Sequence, residues 1–266
     1  MKIEYKFSKK VLKDFLSEFW FAPSDALLRS VEKVIWDNFN FSGKVLDIGT
    51  GDGRNSTMLF RGKKFDYGID PDPRVIILAK KCGIYKKVLL VNANKLPFKD
   101  KSFETVVSNS TFEHMTDDLT SIKEVSRILK NDGSFYLSVP TPRFEKEFIK
   151  NNTSKKYVNW YNKRVLHYHY RSLEDWIEVL KESNLEVRFY QYYFTPAIFK
   201  IWFKLFKISV FRPYHRELWS YLKDSPYGKM FPKRIIVNIL ERVTWKQFQN
   251  SIGNDGAWVF IIAQKI

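Results

Sequence analysis

Three groups of residues in this 266-residue chain have the types and spacing to do chemistry. The first is Val45-Leu46-Asp47-Ile48-Gly49-Thr50-Gly51-Asp52-Gly53-Arg54-Asn55, an apolar run that enters three alternating glycines and then a helical stretch. Such a turn lets backbone N–H groups approach a ligand closely at the start of a helix. A dinucleotide site asks for G-x-G-x-x-G/A, and the sixth position counted from Gly49 is Arg54, which argues against a pyrophosphate. Asp47 would repel a pyrophosphate but suits an ammonium group, and the loop N–H groups suit a carboxylate, so an amino-acid zwitterion matches both. The second group is Tyr67-Gly68-Ile69-Asp70-Pro71, where the carboxylate ending an apolar run can accept hydrogen bonds from both hydroxyls of a ribose. The third holds candidate bases: Glu113-His114, and the cluster His167, Tyr168, His169, Tyr170 and Arg171. His114 reads either as a base or as a helix-start histidine bonded to backbone. In a strand His167 and His169 would face one side and could pair on a metal, but no third ligand is apparent and no metal is expected.

The order D-I-G-T-G-D-G, then G-I-D-P, then Asn92-Ala93-Asn94-Lys95-Leu96-Pro97-Phe98, then Ser102-Phe103-Glu104-Thr105-Val106-Val107-Ser108-Asn109 resembles the class I S-adenosylmethionine-dependent methyltransferases, most of all those acting on small molecules and lipids. The resemblance is close over residues 41–139 and weaker over 167–187. It implies S-adenosylmethionine as cofactor, with Asp47, Gly49 and Gly51 cradling the methionine part and Asp70, followed by Pro71, holding the ribose. Asn92 and Ala93 would lie against the adenine, and the Asn109 carbonyl would close the methionine end. The family commonly has Asp where this chain has Asn92; the amide oxygen can still accept from the adenine amino group. Methyl transfer is an in-line displacement, so the remaining task is to align an acceptor and deprotonate a hydroxyl, for which His114 and His167 are the candidate catalytic residues.

These groups need a scaffold that brings strand ends together. Short apolar runs at Val45–Ile48, Phe65–Ile69, Val88–Val91, Thr105–Ser108 and Ser134–Val139 alternate with helix candidates at Asn55–Phe60, Pro73–Lys81 and Leu119–Leu129. Alternation of this kind predicts an α/β, Rossmann-like, mostly parallel sheet, and two further strands at Val187–Phe194 and Trp258–Ala263 make seven. Asn131-Asp132-Gly133 reads as a turn before the fifth strand, and Ser172 as the cap of a helix over Leu173–Glu182. Two helices precede the sheet, the first capped by Ser8 and ended by Pro23, the second capped by Ser24. About sixty residues separate the last two strands, too many for a loop, so they form an insertion with structure of its own. The expected organisation is one methyltransferase domain: a helical cap over 1–43, a cofactor-binding core over 44–194, a basic aromatic insertion over 195–256 and a final strand over 257–266.

The chain carries 45 Lys and Arg against 29 Asp and Glu, a formal charge of +16, and residues 195–266 hold +8 of it. Within that quarter, Ala197 to Phe211 is an apolar segment with Lys200, Lys204 and Lys207 on one helical face, the profile of an interfacial helix or of one packed on almost all sides. The segment 195–212 is therefore the expected contact with a membrane surface, if there is one. The aromatic and basic residues from Tyr214 to Gly256 would either grip an anionic head group or form their own core. Nucleic acid is a weak candidate, because neither a Pro-Pro-aromatic element nor a Pro-Cys nucleophile follows the fourth strand; RNA 2′-hydroxyl methylation survives that test. A single cysteine, Cys82, excludes a disulfide framework and a Cys-rich zinc site. With no signal-like start and no run long enough to span, the expectation is a cytoplasmic protein able to sit at the inner membrane face. The expected activity is methylation of a non-nucleic-acid acceptor, an oxygen on a glycan, isoprenoid or lipid-linked molecule. The rival from another class is a non-catalytic cofactor-binding module that docks on a membrane or protein partner.

Overall fold

Val45–Ile48, buried at all four positions, forms the central strand β1 of a seven-stranded sheet. The computed structural model describes residues 3–151, 153–212 and 232–266. The other strands are β2 (Phe65–Asp70), β3 (Tyr85–Leu90), β4 (Phe103–Asn109), β5 (Leu129–Pro140), β6 (Leu185–Tyr193) and β7 (Trp258–Lys265), in the order β3-β2-β1-β4-β5-β7-β6. β1 pairs in parallel with β2 and β4, β2 with β3, and β4 with β5, while β7 runs antiparallel to β5. Strands buried on both faces read as continuous apolar runs, which is why β1 and β4 were legible as such. This is the Rossmann-like, mostly parallel class I methyltransferase fold expected from the sequence.

The ten described helices are α1 (Lys9–Glu18), α2 (Pro23–Trp36), α3 (Arg54–Leu59), α4 (Pro73–Lys81), α5 (Asp118–Ile128), α6 (Arg143–Lys150), α7 (Lys155–Val165), α8 (Leu173–Glu182), α9 (Pro196–Ser209) and α10 (Lys233–Gln249). Chain contacts divide into two compact units. The first, Phe39–Tyr192 with Ala257–Ile266, holds the sheet, with Leu46, Val106, Phe135, Leu137 and Ile261 in its core. The second comprises the described residues of Lys2–Asn38 and Tyr193–Gly256, so the N-terminal helices and the insertion build one helical unit. In it α1 packs on α2 and α10, and α2 on α9. Glu32, 1% exposed, accepts from Arg29 at 2.8 Å and lies 3.4 Å from the Tyr193 hydroxyl. Buried Glu241 of α10 meets Lys9 and Lys13 of α1 at 3.4 and 3.6 Å.

Several local expectations change. Helix α1 ends at Glu18, and Pro23 opens α2 as its first residue; Ser24 is buried and makes no cap, because proline already suits that position without an N–H. Asn131-Asp132-Gly133 lies inside β5, where Asp132 at φ 62° accompanies a register shift opposite Phe103 and Thr105. Ser8 and Ser172 cap as expected, Ser172 in a reciprocal box with Asp175. Helices α6 and α7 lie in a stretch for which the sequence reading offered no element. The apolar side of α9 (Ile198, Phe199, Trp202, Phe203) is buried in its own unit and Lys200, Lys204 and Lys207 are exposed. Trp219, Tyr221, Tyr227, Lys229 and Phe231 of the insertion lie outside the described residues. Among the described residues, no helix is long and apolar enough to cross a membrane.

Candidate active site

At the end of β1 the chain turns through Gly49, Gly51 and Gly53 at φ of 83°, 52° and 78°, a left-handed region that favours glycine. The turn is stitched to β2: the Gly49 and Thr50 amides both donate to the Ile69 carbonyl, at 2.9 and 3.1 Å. Asp70 then accepts from the Gly51 amide on Oδ2 and from the Asp72 amide on Oδ1, both at 2.9 Å. Two backbone donors thus aim this carboxylate before any ligand arrives. A Cβ on Gly49 would come within 2.2 Å of Thr111, whereas a Cβ on Gly51 would meet nothing within 4 Å. Gly49 is a packing requirement, and Gly51 borders open space.

Asp47 faces inward, 2% exposed, with its Oδ2 accepting from Ser56 Oγ at 2.8 Å and from the Tyr85 hydroxyl at 2.5 Å. Burial pushes its carboxyl up to about 6 despite these two donors. Burial, then the neighbouring Asp47 carboxylate, pushes the Tyr85 phenol up as well. Past β3, Asn92 is exposed and its Oδ1 accepts from the Asn94 amide at 3.2 Å, so an adenine amino group would use its second lone pair. Ala93 is buried beside it and Pro71 is exposed. Asn109 ends β4, and its carbonyl accepts from the Thr111 hydroxyl at 3.2 Å.

The candidate bases gather beyond the carboxyl end of β4. A 3₁₀ turn over Phe112–His114 is anchored by buried Phe112, packed on Phe135 and Trp176. It meets the segment after α7, whose cap Leu166 is left-handed at φ 58°; the Tyr168 amide donates to the Glu113 carbonyl at 2.9 Å. The rings of His114 and His167 come to 4.8 Å between centroids, and both sequence-derived candidates are brought together. His114 Nδ1 lies 3.2 Å from the Leu166 carbonyl, which can only accept, so Nδ1 carries the proton. For His167 the same conclusion follows along a chain anchored on a carboxylate. Glu145 accepts from Asn162 Nδ2 at 2.8 Å, which turns Asn162 Oδ1 to the Tyr170 hydroxyl at 2.7 Å, and Tyr170 therefore accepts from His167 Nδ1 at 2.7 Å. In the neutral form of each ring this arrangement puts the lone pair on Nε2.

His167 and His169 do not share a face, because residues 167–170 form no strand. His169 Nε2 instead lies 3.1 Å from Asp118 and 3.3 Å from the Phe112 carbonyl. Asp118, also gripped by Arg171, is buried; burial would raise its carboxyl, yet His169 and Arg171 hold it below the usual range. The third member that the sequence reading lacked is Glu113, 3% exposed, which joins His114 and His167 with ligand-type atoms all within 4.8 Å of one another. Its adjacency to His114 was visible in the sequence, but its approach to His167 depends on helices α6 and α7.

Comparison with known proteins bears on the cofactor end first. Residues 46–137 match the family described as a methyltransferase domain. Over 168 residues, 60% of this chain and 64% of the relative, the chain is 27% identical to the uncharacterized methyltransferase YcgJ of Bacillus subtilis. It is 25% identical over 171 residues, 58% of this chain and 75% of the relative, to a demethylmenaquinone methyltransferase of Thermotoga maritima. Four curated relatives are matched over 78, 64, 55 and 54% of their length. A solved S-adenosylmethionine-dependent methyltransferase structure from Thermotoga maritima superposes with a TM-score of 0.59 at 18% identity, covering 96% of this chain and all of that one, a likeness of fold.

Proposed function

We propose that this chain, which carries a methyltransferase domain over residues 46–137 and has the class I methyltransferase fold, transfers a methyl group from S-adenosylmethionine to an oxygen of a small-molecule acceptor. The observation that carries the reading is the open space over Gly51 beside an Asp70 carboxylate already aimed by two amides. That geometry fits a ribose and its attached chain: Asp70 would accept from the hydroxyls, and the Gly49–Gly51 turn and Asp47 would hold the amino-acid end. Asn92 and Ala93 would border the adenine, and the Asn109 carbonyl the methionine end. When bound, the cofactor supplies an electrophilic sulfonium methyl.

The chain's own part is alignment and proton removal. His114 and His167, with their lone pairs on Nε2, are suited to take a hydroxyl proton, and the Leu166 carbonyl and the Tyr170 hydroxyl hold the rings in that tautomer. Tyr170 is therefore a positioning residue for His167. An acceptor of the glycan, isoprenoid or lipid-linked class suits a chain with its excess charge in residues 195–266, and the relative named for demethylmenaquinone agrees with a small molecule. Calorimetric titration with S-adenosylmethionine, together with detection of S-adenosylhomocysteine across acceptor classes, tests the reading. Absence of binding heat at millimolar ligand, or unchanged affinity after Asp70→Ala, overturns it.

A second reading has its own observation: α9 buries its apolar side and exposes Lys200, Lys204 and Lys207. Beside this lysine row Ile208 and Phe211 are exposed as well, so the surface would offer an anionic membrane charge together with two apolar side chains. Co-sedimentation with anionic liposomes that disappears in high salt, without methyl transfer to any acceptor, would favour a docking module over an enzyme.

A further inference from the structure

Glu113, His114 and His167 have the chemistry of a cation site as well as of a base. Their ligand-type atoms lie within 4.8 Å of one another. Around a tetrahedral ion with bonds of roughly 2.1 Å, neighbouring donors stand about 3.4 Å apart, so modest side-chain rotation closes the set. The tautomers are already the ligating ones, since each imidazole uses Nδ1–H on a protein acceptor and keeps its lone pair on Nε2. Ligating histidines are held in this way, by a carbonyl or a hydroxyl on the far nitrogen, and here one ring has each kind of partner. Glu113, on the backbone next to His114 and buried, contributes the negative charge. His169 is not part of the set, being turned to Asp118 and the Phe112 carbonyl.

We propose that Glu113, His114 and His167 bind a divalent first-row cation such as Zn²⁺, leaving at least one coordination position open. Two imidazoles and one carboxylate favour such an ion over Mg²⁺, which prefers oxygen donors. Three protein ligands with an open position are the arrangement of catalytic rather than structural zinc. The use of that position rests on the methyl-transfer reading and would take over the proton-removing role given there to the two imidazoles, whose Nε2 lone pairs the cation would occupy. An acceptor hydroxyl bound there would lose its proton to solvent more readily, and its oxygen would form the new bond to the methyl carbon as the carbon–sulfur bond of S-adenosylmethionine breaks and the electron pair leaves on sulfur as S-adenosylhomocysteine. The binding of the cation does not rest on that reading.

The test uses the full chain, stripped with chelator and titrated with Co²⁺ while visible absorption is followed, with Zn²⁺ as competitor. One equivalent should bind with the bands of a four- or five-coordinate ion, and Zn²⁺ should abolish them. His114→Ala removes an exposed ligand without opening the core and should remove the bands, and Tyr170→Phe should weaken binding about 10–100-fold while keeping them. Thermal melting of both variants checks that they are folded. No bands in the wild type, or bands that survive in a His114→Ala, His167→Ala double variant, overturn the site. S-adenosylmethionine binding is measured in parallel: cobalt bands without cofactor binding leave the site standing and remove the methyl-transfer reading, and the reverse result removes the site alone.

Discussion

The cofactor end and the acceptor end of the candidate site are built from different materials. At the cofactor end the Gly49, Thr50 and Gly51 amides are spent on the Ile69 carbonyl and Asp70, one carboxylate borders the open space over Gly51, and the contact that closes the turn, Gly51 to Asp70, spans 19 residues. At the acceptor end the groups are side chains, and the contact that closes it, His114 to Leu166, spans 52. A turn made by backbone is specified by where the glycines fall, and it keeps its shape whatever ligand comes. A cluster made by side chains is specified by packing around it, so its chemistry can change while the fold stays. The comparison makes a sharp demand: substitutions at one end should move binding and leave turnover, and substitutions at the other should do the opposite.

The largest effect is expected at the acceptor end. His167→Ala should lower kcat by about 10²–10⁴, the usual range for a general base, and leave the S-adenosylmethionine Kd within twofold, roughly the noise of a titration. A parallel loss of cofactor affinity would show that the two ends are one site. Next comes Asp70→Ala, which removes two acceptors for the ribose and loosens the turn through the Gly51 and Asp72 amides. With about 1.5 kcal/mol for each charged hydrogen bond, Kd should rise about a hundredfold. Calorimetry reads both variants on the same scale.

Asp47 separates stability from binding within the cofactor end. Its folded carboxyl titrates near 6 against an ordinary 3.8, so the fold prefers it protonated. The stabilisation this gives is complete below the ordinary value and is lost as pH rises through about 6, which at neutral pH amounts to about 3 kcal/mol. Asp47→Asn, whose amide oxygen can still accept from Ser56 and Tyr85, should therefore be the more stable protein at pH 7.5 and no more stable at pH 4, as read from denaturant midpoints. Cofactor binding should go the other way: affinity of the wild type falls about tenfold per pH unit below 6, as the charge facing the ammonium is neutralised, and the Asn variant shows neither that affinity nor that slope.

The same contrast decides what could be read from the sequence. The runs at Val45, Phe65 and Thr105 became β1, β2 and β4 within two residues at their ends, because buried parallel strands write themselves as unbroken apolar stretches. The Gly49–Gly51 turn and Asp70 followed from them, since they sit where the strands end. His114 and His167 were legible as candidates but not as neighbours; the pair that a strand would have made of His167 and His169 does not form, since residues 167–170 are not in a strand. Glu113 could not be placed beside His167 without α6 and α7; α6 buries Phe144 and Phe148 on one side, but at eight residues it is too short to stand out against the flanking loops. The apolar segment at Ala197 left burial and a membrane as alternatives, and only the packing of Trp202 and Phe203 within the helical unit shows which side is covered.

Gly51→Ala gives the smallest effect and the finest discrimination. At φ 52° an added methyl costs about 1–2 kcal/mol through backbone strain, with no collision to add to it. Gly49→Ala, by contrast, pushes a Cβ into Thr111, and its damage would be to folding as much as to binding. The loss in Gly51→Ala should therefore divide: a small drop in melting temperature, and a loss of S-adenosylmethionine affinity beyond it, because the methyl occupies space that the ligand would fill. Turnover at saturating cofactor should be nearly that of the wild type, since the methyl stands at the backbone-built end. Wild-type affinity with the expected loss of stability would mean that the ligand does not lie over this turn, and the open space beside Asp70 would no longer support the cofactor assignment.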